Sequence, residues 1–202
     1  MITGFKYLPE YLSRDEQETL LEDLRAKIQQ NPLFNPRMPG TGKPFSVKMT
    51  NFGPLGWVSD KEQGYRYQPT HPATGEPWLP IPETLLKLWE KITEYPAPPE
   101  CCLLNYYHHE KAKMGLHRDE DEEEILAPVF SLSLGDTAIF RVGGLTRKGP
   151  SNFIKLGSGD IVILGGEARK AYHGVDRILH GSSKLLKHGG RINLTLRRVT
   201  TF

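Results

Sequence analysis

Beyond Pro99 the chain breaks into short β-branched and aromatic runs separated by turn residues, and this punctuation most narrows the folds open to it. The spacing predicts strands over Cys101–Tyr107, Val129–Leu134, Ala138–Val142, Asn152–Leu156, Asp160–Leu164 and Arg191–Arg198. Gly135-Asp136, Gly143-Gly144 and Gly157-Ser158-Gly159 sit between them as turns. Many short strands so spaced favour an antiparallel sandwich or jelly roll over alternating βαβ units.

The N-terminal half reads differently. Ser13-Arg14-Asp15-Glu16 fits a capping box, Leu20, Leu21, Leu24 and Ile28 follow at helical spacing, and Asn31-Pro32 stops the helix. A second helix is expected to start near Pro82, with Leu85, Trp89 and Ile92 on one face, and to end before Pro96. Residues 33–80, rich in Gly, Pro and aromatics, read as strands and loops. About 100 residues holding two helices and few strands would buttress a β core more readily than fold alone, and 202 residues suffice for one substantial domain. A single domain over 1–202 is therefore expected, with 1–99 as helical buttress and lid and 100–202 as the jelly-roll core.

The formal net charge of +2 conceals a polarised chain. Residues 1–118 balance, Asp119 to Glu124 is an unbroken acidic run, and residues 125–202 carry 12 basic against 4 acidic side chains. Such asymmetry hints at an anionic partner. The longest purely aliphatic stretch, Ile161 to Leu164, falls far short of the roughly 18 residues of a membrane span, so no membrane association is expected. The N-terminus lacks a charged region followed by an apolar one, and the adjacent Cys101 and Cys102 cannot pair with each other without strain. A reducing, cytoplasmic compartment is the simplest reading.

Three segments could carry chemistry. In His117-Arg118-Asp119, an extended backbone would put imidazole and carboxylate on one face, and one distant histidine would complete a 2-His-1-carboxylate triad suited to iron(II). Taken alone, such a tripeptide is usually a surface coincidence. Among the other histidines, His108 and His109 lie in a polar stretch, His71 in a turn, and His180 and His188 in a Gly, Ser and Lys segment. His173 differs, because Tyr172-His173-Gly174-Val175 follows a turn after a strongly apolar strand. In Arg191 to Arg198, alternation places Ile192, Leu194 and Leu196 on one face and Arg191, Asn193, Thr195 and Arg197 on the other. That polar face is either half-exposed or lines a cavity where two guanidiniums grip a dicarboxylate; Asn105 and Tyr107 share one face of their own strand and could complete the pocket.

Taken together these segments resemble the AlkB family of iron(II)- and 2-oxoglutarate-dependent dioxygenases, in particular its bacterial DNA-repair branch. The resemblance spans roughly residues 45–200. It rests on Met49-Thr50-Asn51, Gly56-Trp57, Gly64-Tyr65-Arg66-Tyr67, Asn105-x-Tyr107, His117-x-Asp119-x-Asp121-Glu122 and Ala127-Pro128. It continues through Ser131-Leu132-Ser133-Leu134-Gly135, Gly165-Gly166-Glu167-x-Arg169, Tyr172-His173-Gly174 and Arg191-x-Asn193-Leu194-Thr195-x-Arg197. It implies a double-stranded β-helix (jelly-roll) core with flanking helices and an N-terminal lid for nucleotide recognition. It further implies that His117, Asp119 and His173 hold Fe(II) and that Asn105, Tyr107, Arg191, Asn193 and Arg197 hold 2-oxoglutarate, with O2 as the other cosubstrate. Arg191 would face the distal carboxylate and Arg197 the end nearer the metal. Because this chain carries one residue more than the family pattern between Asn105 and His117, alternation is what favours Tyr107 over Tyr106.

The resemblance also implies the substrate: 1-methyladenine and 3-methylcytosine in DNA, with RNA as a further target and no obligate protein partner. Trp57 would stack on the flipped base, Tyr65 would lie near its phosphate and ring, Asp121 would face the exocyclic amine, and Glu122 would support that corner. Hydroxylation of the N-methyl carbon gives a hemiaminal that releases formaldehyde, while 2-oxoglutarate becomes succinate and CO2. A methylated base of this kind is cationic and pairs poorly, so extruding it costs less than flipping an intact pair, and a carboxylate favours it over its neutral product.

Overall fold

A computed structural model describes residues 2–202. Its strands are β1 (Phe5–Leu8), β2 (Lys48–Phe52), β3 (Gly56–Asp60), β4 (Gly64–Gln68), β5 (Cys101–Tyr107), β6 (Met114–His117), β7 (Val129–Gly135), β8 (Thr137–Val142), β9 (Asn152–Leu156), β10 (Ile161–Leu164), β11 (His173–Leu179) and β12 (Arg191–Arg197). Two helices, α1 (Arg14–Gln30) and α2 (Glu83–Thr93), and a 3-10 turn over Gly166–Lys170 complete it. A six-stranded sheet runs β1-β10-β7-β12-β5-β2, a four-stranded sheet runs β6-β11-β8-β9, and β3-β4 is a separate hairpin. Every strand pair is antiparallel.

The chain is a two-sheet jelly roll with both helices packed on the outside of the larger sheet. Alternation along the strands creates the two layers. Cys102, Leu104, Leu132, Leu194 and Leu196 point outward into one apolar cluster with Leu20, Leu21 and Leu24 of α1 and Leu85 and Trp89 of α2. Their neighbours Leu103, Tyr107, Val129 and Val162 point inward, into a second cluster with Phe140, Val142 and Val175 of the smaller sheet. The halves of the chain are interleaved: β1 and β2, from the first 52 residues, form the two edges of the larger sheet.

Helix α1 begins with the expected capping box, in which the Ser13 N–H donates to Glu16 Oε2 at 2.8 Å and the Glu16 N–H donates to Ser13 Oγ at 3.3 Å. It ends at Asn31, whose Oδ1 accepts from the Leu79 N–H at 2.7 Å and pins the loop that leads into α2. Helix α2 starts after Pro82 and closes on Glu94 in the left-handed conformation (φ 54°). Trp89 and Leu85 bury the inner face of α2: the Trp89 ring is 1% exposed and its Nε1 donates to the Ala97 carbonyl at 3.0 Å.

The predicted strands lie where expected to within one residue at their ends. Strands β1 and β6 were not anticipated, whereas β11 opens at His173, the position read as the start of a strand. β1 is only four residues long, β6 and β11 are broken by glycine, and each gains its strand character from pairing: β1 with β10, β6 with β11, and β11 with both β6 and β8. Trp89→Ala is expected to lower unfolding free energy by about 3–5 kcal/mol, because the cavity lies beneath a rigid sheet. Urea denaturation followed by circular dichroism checks this, and a loss below about 1 kcal/mol would contradict the packing described.

Candidate metal centre and cosubstrate pocket

The functional side chains gather between the two sheets. On the smaller sheet, β6 and β11 pair so that His117 stands directly across from His173. The ladder is uneven, since two steps on β11, from His173 to Val175, span three on β6, from His117 to Met114. The close approach depends on Gly174. A Cβ there would lie 2.7 Å from the Met114 carbonyl oxygen and 2.8 Å from that of Gly115. The same irregular turn leaves the Gly115 carbonyl within 2.8 Å of His117 Nδ1.

Two residues beyond β6, Asp119 turns inward. Its carboxylate oxygens lie 3.8 Å from His117 Nε2 and 3.7 Å from His173 Nε2, and the two rings are 4.6 Å apart. These separations are too long for hydrogen bonds. Each imidazole instead donates from Nδ1–H to a backbone carbonyl, His117 to Gly115 at 2.8 Å and His173 to Ala171 at 3.0 Å. That tautomer leaves both Nε2 lone pairs facing the carboxylate, and ligating histidines are usually held this way. The three ligand atoms lie within 4.8 Å of one another, and buried Asp119 Oδ2 has no hydrogen-bond donor among the described residues. The donor set, two imidazole nitrogens and one carboxylate oxygen, suits iron(II) with positions left open.

Charge balance around the triad favours ligation. Burial first, and His117 second, push His173 down to about 4, so its ring is neutral at neutral pH. Burial alone would raise the Asp119 carboxyl, but Arg197 and the two histidines outweigh it and hold it well below the usual carboxylate range. Arg197 Nη2 donates to Asp119 Oδ1 at 3.0 Å.

The residues expected to hold 2-oxoglutarate line a cavity of about 530 Å³ that opens beside the triad. Strand β12 is central in the larger sheet, between β5 and β7, so its polar face is enclosed rather than wetted. Arg191 is 1% exposed; its Nη2 donates to Ser133 Oγ at 2.9 Å, while its Nε and Nη1 meet no acceptor among the described residues. Arg197 Nη1 and Asn105 Oδ1 are likewise buried without partners. Unmet guanidinium donors in a closed pocket call for an oxygen-rich anion. Asn193 is held by Ser131 Oγ at 2.7 Å, and Tyr107 lies under the Arg191 guanidinium at 5.2 Å. Tyr106 points to the opposite face of β5, where its hydroxyl donates to the Gly189 carbonyl.

At the mouth the rings of Trp57 and Tyr65 stack, with centroids 5.5 Å apart and planes 27° from parallel. Trp57 Nε1 donates to Asp121 Oδ2 at 2.9 Å. Glu122 is placed apart from these. Its side chain is only 2% exposed and accepts from Tyr67 Oη and, at 2.8 Å, from Arg169 Nη2. Sequence reasoning missed Tyr67 and Arg169. Both lie inside motifs already noted, and a buried charge pair leaves no signature in a sequence read one residue at a time.

Comparison with known proteins agrees with this geometry. Residues 4–197 match the 2OG-Fe(II) oxygenase superfamily. The chain is 50% identical over 201 residues to the "Alpha-ketoglutarate-dependent dioxygenase AlkB homolog" of Caulobacter vibrioides, covering 100% of this chain and 90% of that one. The chain belongs to the AlkB family. It is 40% identical over 185 residues to the Escherichia coli AlkB dioxygenase, with 90% and 84% of the two chains covered. The "tRNA demethylase abh1" of Schizosaccharomyces pombe is 30% identical over 151 residues, or 71% of this chain and 49% of that one. The solved structure of OsALKBH1 superposes with a TM-score of 0.82 at 28% identity, covering 98% and 99%. As a member of this family the chain is a 2-oxoglutarate-dependent dioxygenase that uses Fe(II), 2-oxoglutarate and O2.

The buried neutral His173 also sets a pH dependence. Its folded pKa of about 4 lies below the roughly 6.5 of an unfolded histidine, so the unfolded chain binds more protons between those values. This contribution to the stability of the metal-free protein is complete above pH 6.5 and is lost as pH falls toward 4, by about 3 kcal/mol. Urea midpoints of metal-free protein across that range should fall steeply for wild type and less steeply for His173→Gln.

Proposed function

We propose that the protein removes methyl groups from alkylated bases in DNA, and in RNA as a further target, as a direct reversal of alkylation damage. One observation carries this reading: the stacked Trp57 and Tyr65 and the carboxylate of Asp121 stand at the mouth of the cavity whose floor is the His117, Asp119 and His173 triad. A flat cation is what such a mouth would hold, since an aromatic face and a nearby carboxylate both attract positive charge. The preferred substrates are 1-methyladenine and 3-methylcytosine.

His117, Asp119 and His173 would hold the metal, and Asn105, Tyr107, Arg191, Asn193 and Arg197 the 2-oxoglutarate. Bound iron(II) with 2-oxoglutarate and O2 supplies the oxidising power that hydroxylates the methyl carbon. The remaining work is the protein's own. Arg191, buried and with two donor nitrogens free, binds and orients the distal carboxylate, and its low surroundings make that contact strong. Trp57 and Tyr65 present an aromatic surface for the flipped base, and the Trp57 indole N–H fixes the Asp121 carboxylate toward it. The carboxylate favours the cationic methylated base over the neutral product, which speeds release once the hemiaminal has lost formaldehyde. Arg147, lining the cavity, adds positive charge near the phosphates, whereas Arg118 beside it is paired with Glu120. Two free, fully buried cysteines suit a reducing cytoplasm, and no helix among the described residues is long and apolar enough to cross a membrane.

Incubation with iron(II), ascorbate, 2-oxoglutarate and an oligonucleotide bearing 1-methyladenine or 3-methylcytosine should release formaldehyde. Absence of release with iron demonstrably bound would overturn the proposal. Asp119→Ala should abolish both formaldehyde release and succinate formation. Asp121→Ala should keep succinate formation measurable while lowering discrimination between methylated and unmodified base by about tenfold, the value of one charged contact. Arg191→Gln should raise the 2-oxoglutarate KM by about tenfold or more in succinate assays.

A further inference from the structure

The β3-β4 hairpin that carries Trp57 and Tyr65 pairs with neither larger sheet. A two-stranded hairpin is marginal by itself, so contacts outside its own ladder set its position; at its far end the Arg37 N–H donates to the Ser59 carbonyl at 3.0 Å. On the β2 side, Asn51 grips the backbone of Trp57: Nδ2 donates to the Trp57 carbonyl at 2.9 Å and Oδ1 accepts from its N–H at 3.0 Å. On the other side, two residues that face each other across the hairpin, Trp57 and Tyr67, reach two consecutive residues of the acidic loop. Trp57 Nε1 holds Asp121 and the Tyr67 hydroxyl donates to Glu122.

These contacts are not equivalent. The Trp57–Asp121 bond lies at the exposed mouth, where a base would enter. The Tyr67–Glu122 bond lies behind it, with the Glu122 carboxylate closed off from solvent. Both oxygens of Glu122 are engaged, Oε1 by Tyr67 and, at 3.3 Å, by Arg197 Nε, and Oε2 by Arg169 Nη2. Arg169 also donates to the carbonyls of Asp119 at 2.6 Å and Ala127 at 3.0 Å, so the loop from 119 to 127 is held at its start, middle and end by one guanidinium. Glu122 is thus fixed to the same frame as the metal ligand Asp119.

We propose that Tyr67 and Glu122 are positioning residues: their buried bond sets how far the base-stacking hairpin stands from the metal-binding loop, and Glu122 does this instead of touching the base. The inference rests on the demethylase reading of the site. A hairpin allowed to drift would still admit the base but would hold its methyl group off line, and a misplacement of about 1 Å can cost a large rate factor. Oxidation of 2-oxoglutarate would then run ahead of demethylation.

Tyr67→Phe removes one hydroxyl and keeps the ring. In metal-free protein, acrylamide quenching of Trp57 should rise by about twofold as the hairpin loosens; Trp78 and Trp89, at 6% and 1% exposure, are too buried to respond. In the loaded enzyme, formaldehyde released per succinate formed should fall by about fivefold, with the 2-oxoglutarate KM within about twofold of wild type. Tyr67→Phe combined with Glu122→Gln should lower that ratio no further than Glu122→Gln alone, because both act through one bond. Should Tyr67→Phe fail to fold, Glu122→Gln is read by the same two measurements. Wild-type quenching together with a wild-type ratio would overturn the proposal, as would a parallel loss of 2-oxoglutarate affinity, which marks general packing damage. If wild type releases no formaldehyde from any methylated oligonucleotide, the demethylase reading fails while the quenching comparison still decides the clamp.

Discussion

The structure depends on how three buried guanidiniums are neutralised. Arg169, Arg191 and Arg197 all lie inside the protein, at 2%, 1% and 7% exposure. Removing a charge from water costs several kcal/mol unless a partner and further hydrogen bonds offset it. Two of the three are answered by the acidic loop, which folds inward so that Glu122 meets Arg169 and Asp119 meets Arg197. Arg191 is not answered by a carboxylate among the described residues, and it faces the cavity. Folding has neutralised the charges that hold the framework and left the one that a bound dianion would complete.

The same arrangement explains how one strand serves both stability and chemistry. Period-two alternation on β12 gives its outer face to Leu194 and Leu196, which bury against the helices, and its inner face to Arg191, Asn193 and Arg197. Because β12 is hydrogen-bonded on both sides, its side chains are placed by two neighbouring registers at once. Rigid placement of this kind lets binding groups meet a small ligand with little ordering left to do.

Much of this was legible in the sequence where local pattern decides the outcome. Capping chemistry located α1, alternation located β5 and β12, and the family motifs named the triad. The choice of Tyr107 over Tyr106 followed from the pleat alone. What escaped was set by contacts between distant segments. Strand β6 is only four residues long and broken by glycine, and it exists through its pairing with β11. Whether the polar face of β12 was wet or enclosed depended on the second sheet lying over it. Glu122 was expected to support the base-facing corner, and nothing near it in the sequence reveals its buried partner Arg169, 47 residues away.

The uneven ladder between β6 and β11 has a consequence for how this enzyme can be lost. The two histidines expected to hold the metal, His117 and His173, sit on strands that approach closely only because Gly174 lacks a side chain. A single methyl group there would push the Met114–Gly115 backbone outward and carry His117 away from His173, with all three donors still encoded. Inactivating changes in this family therefore need not fall on any residue that touches iron, cosubstrate or base. An inherited defect at such a glycine would leave every chemical signature intact in the gene and still produce an enzyme that cannot gather its metal.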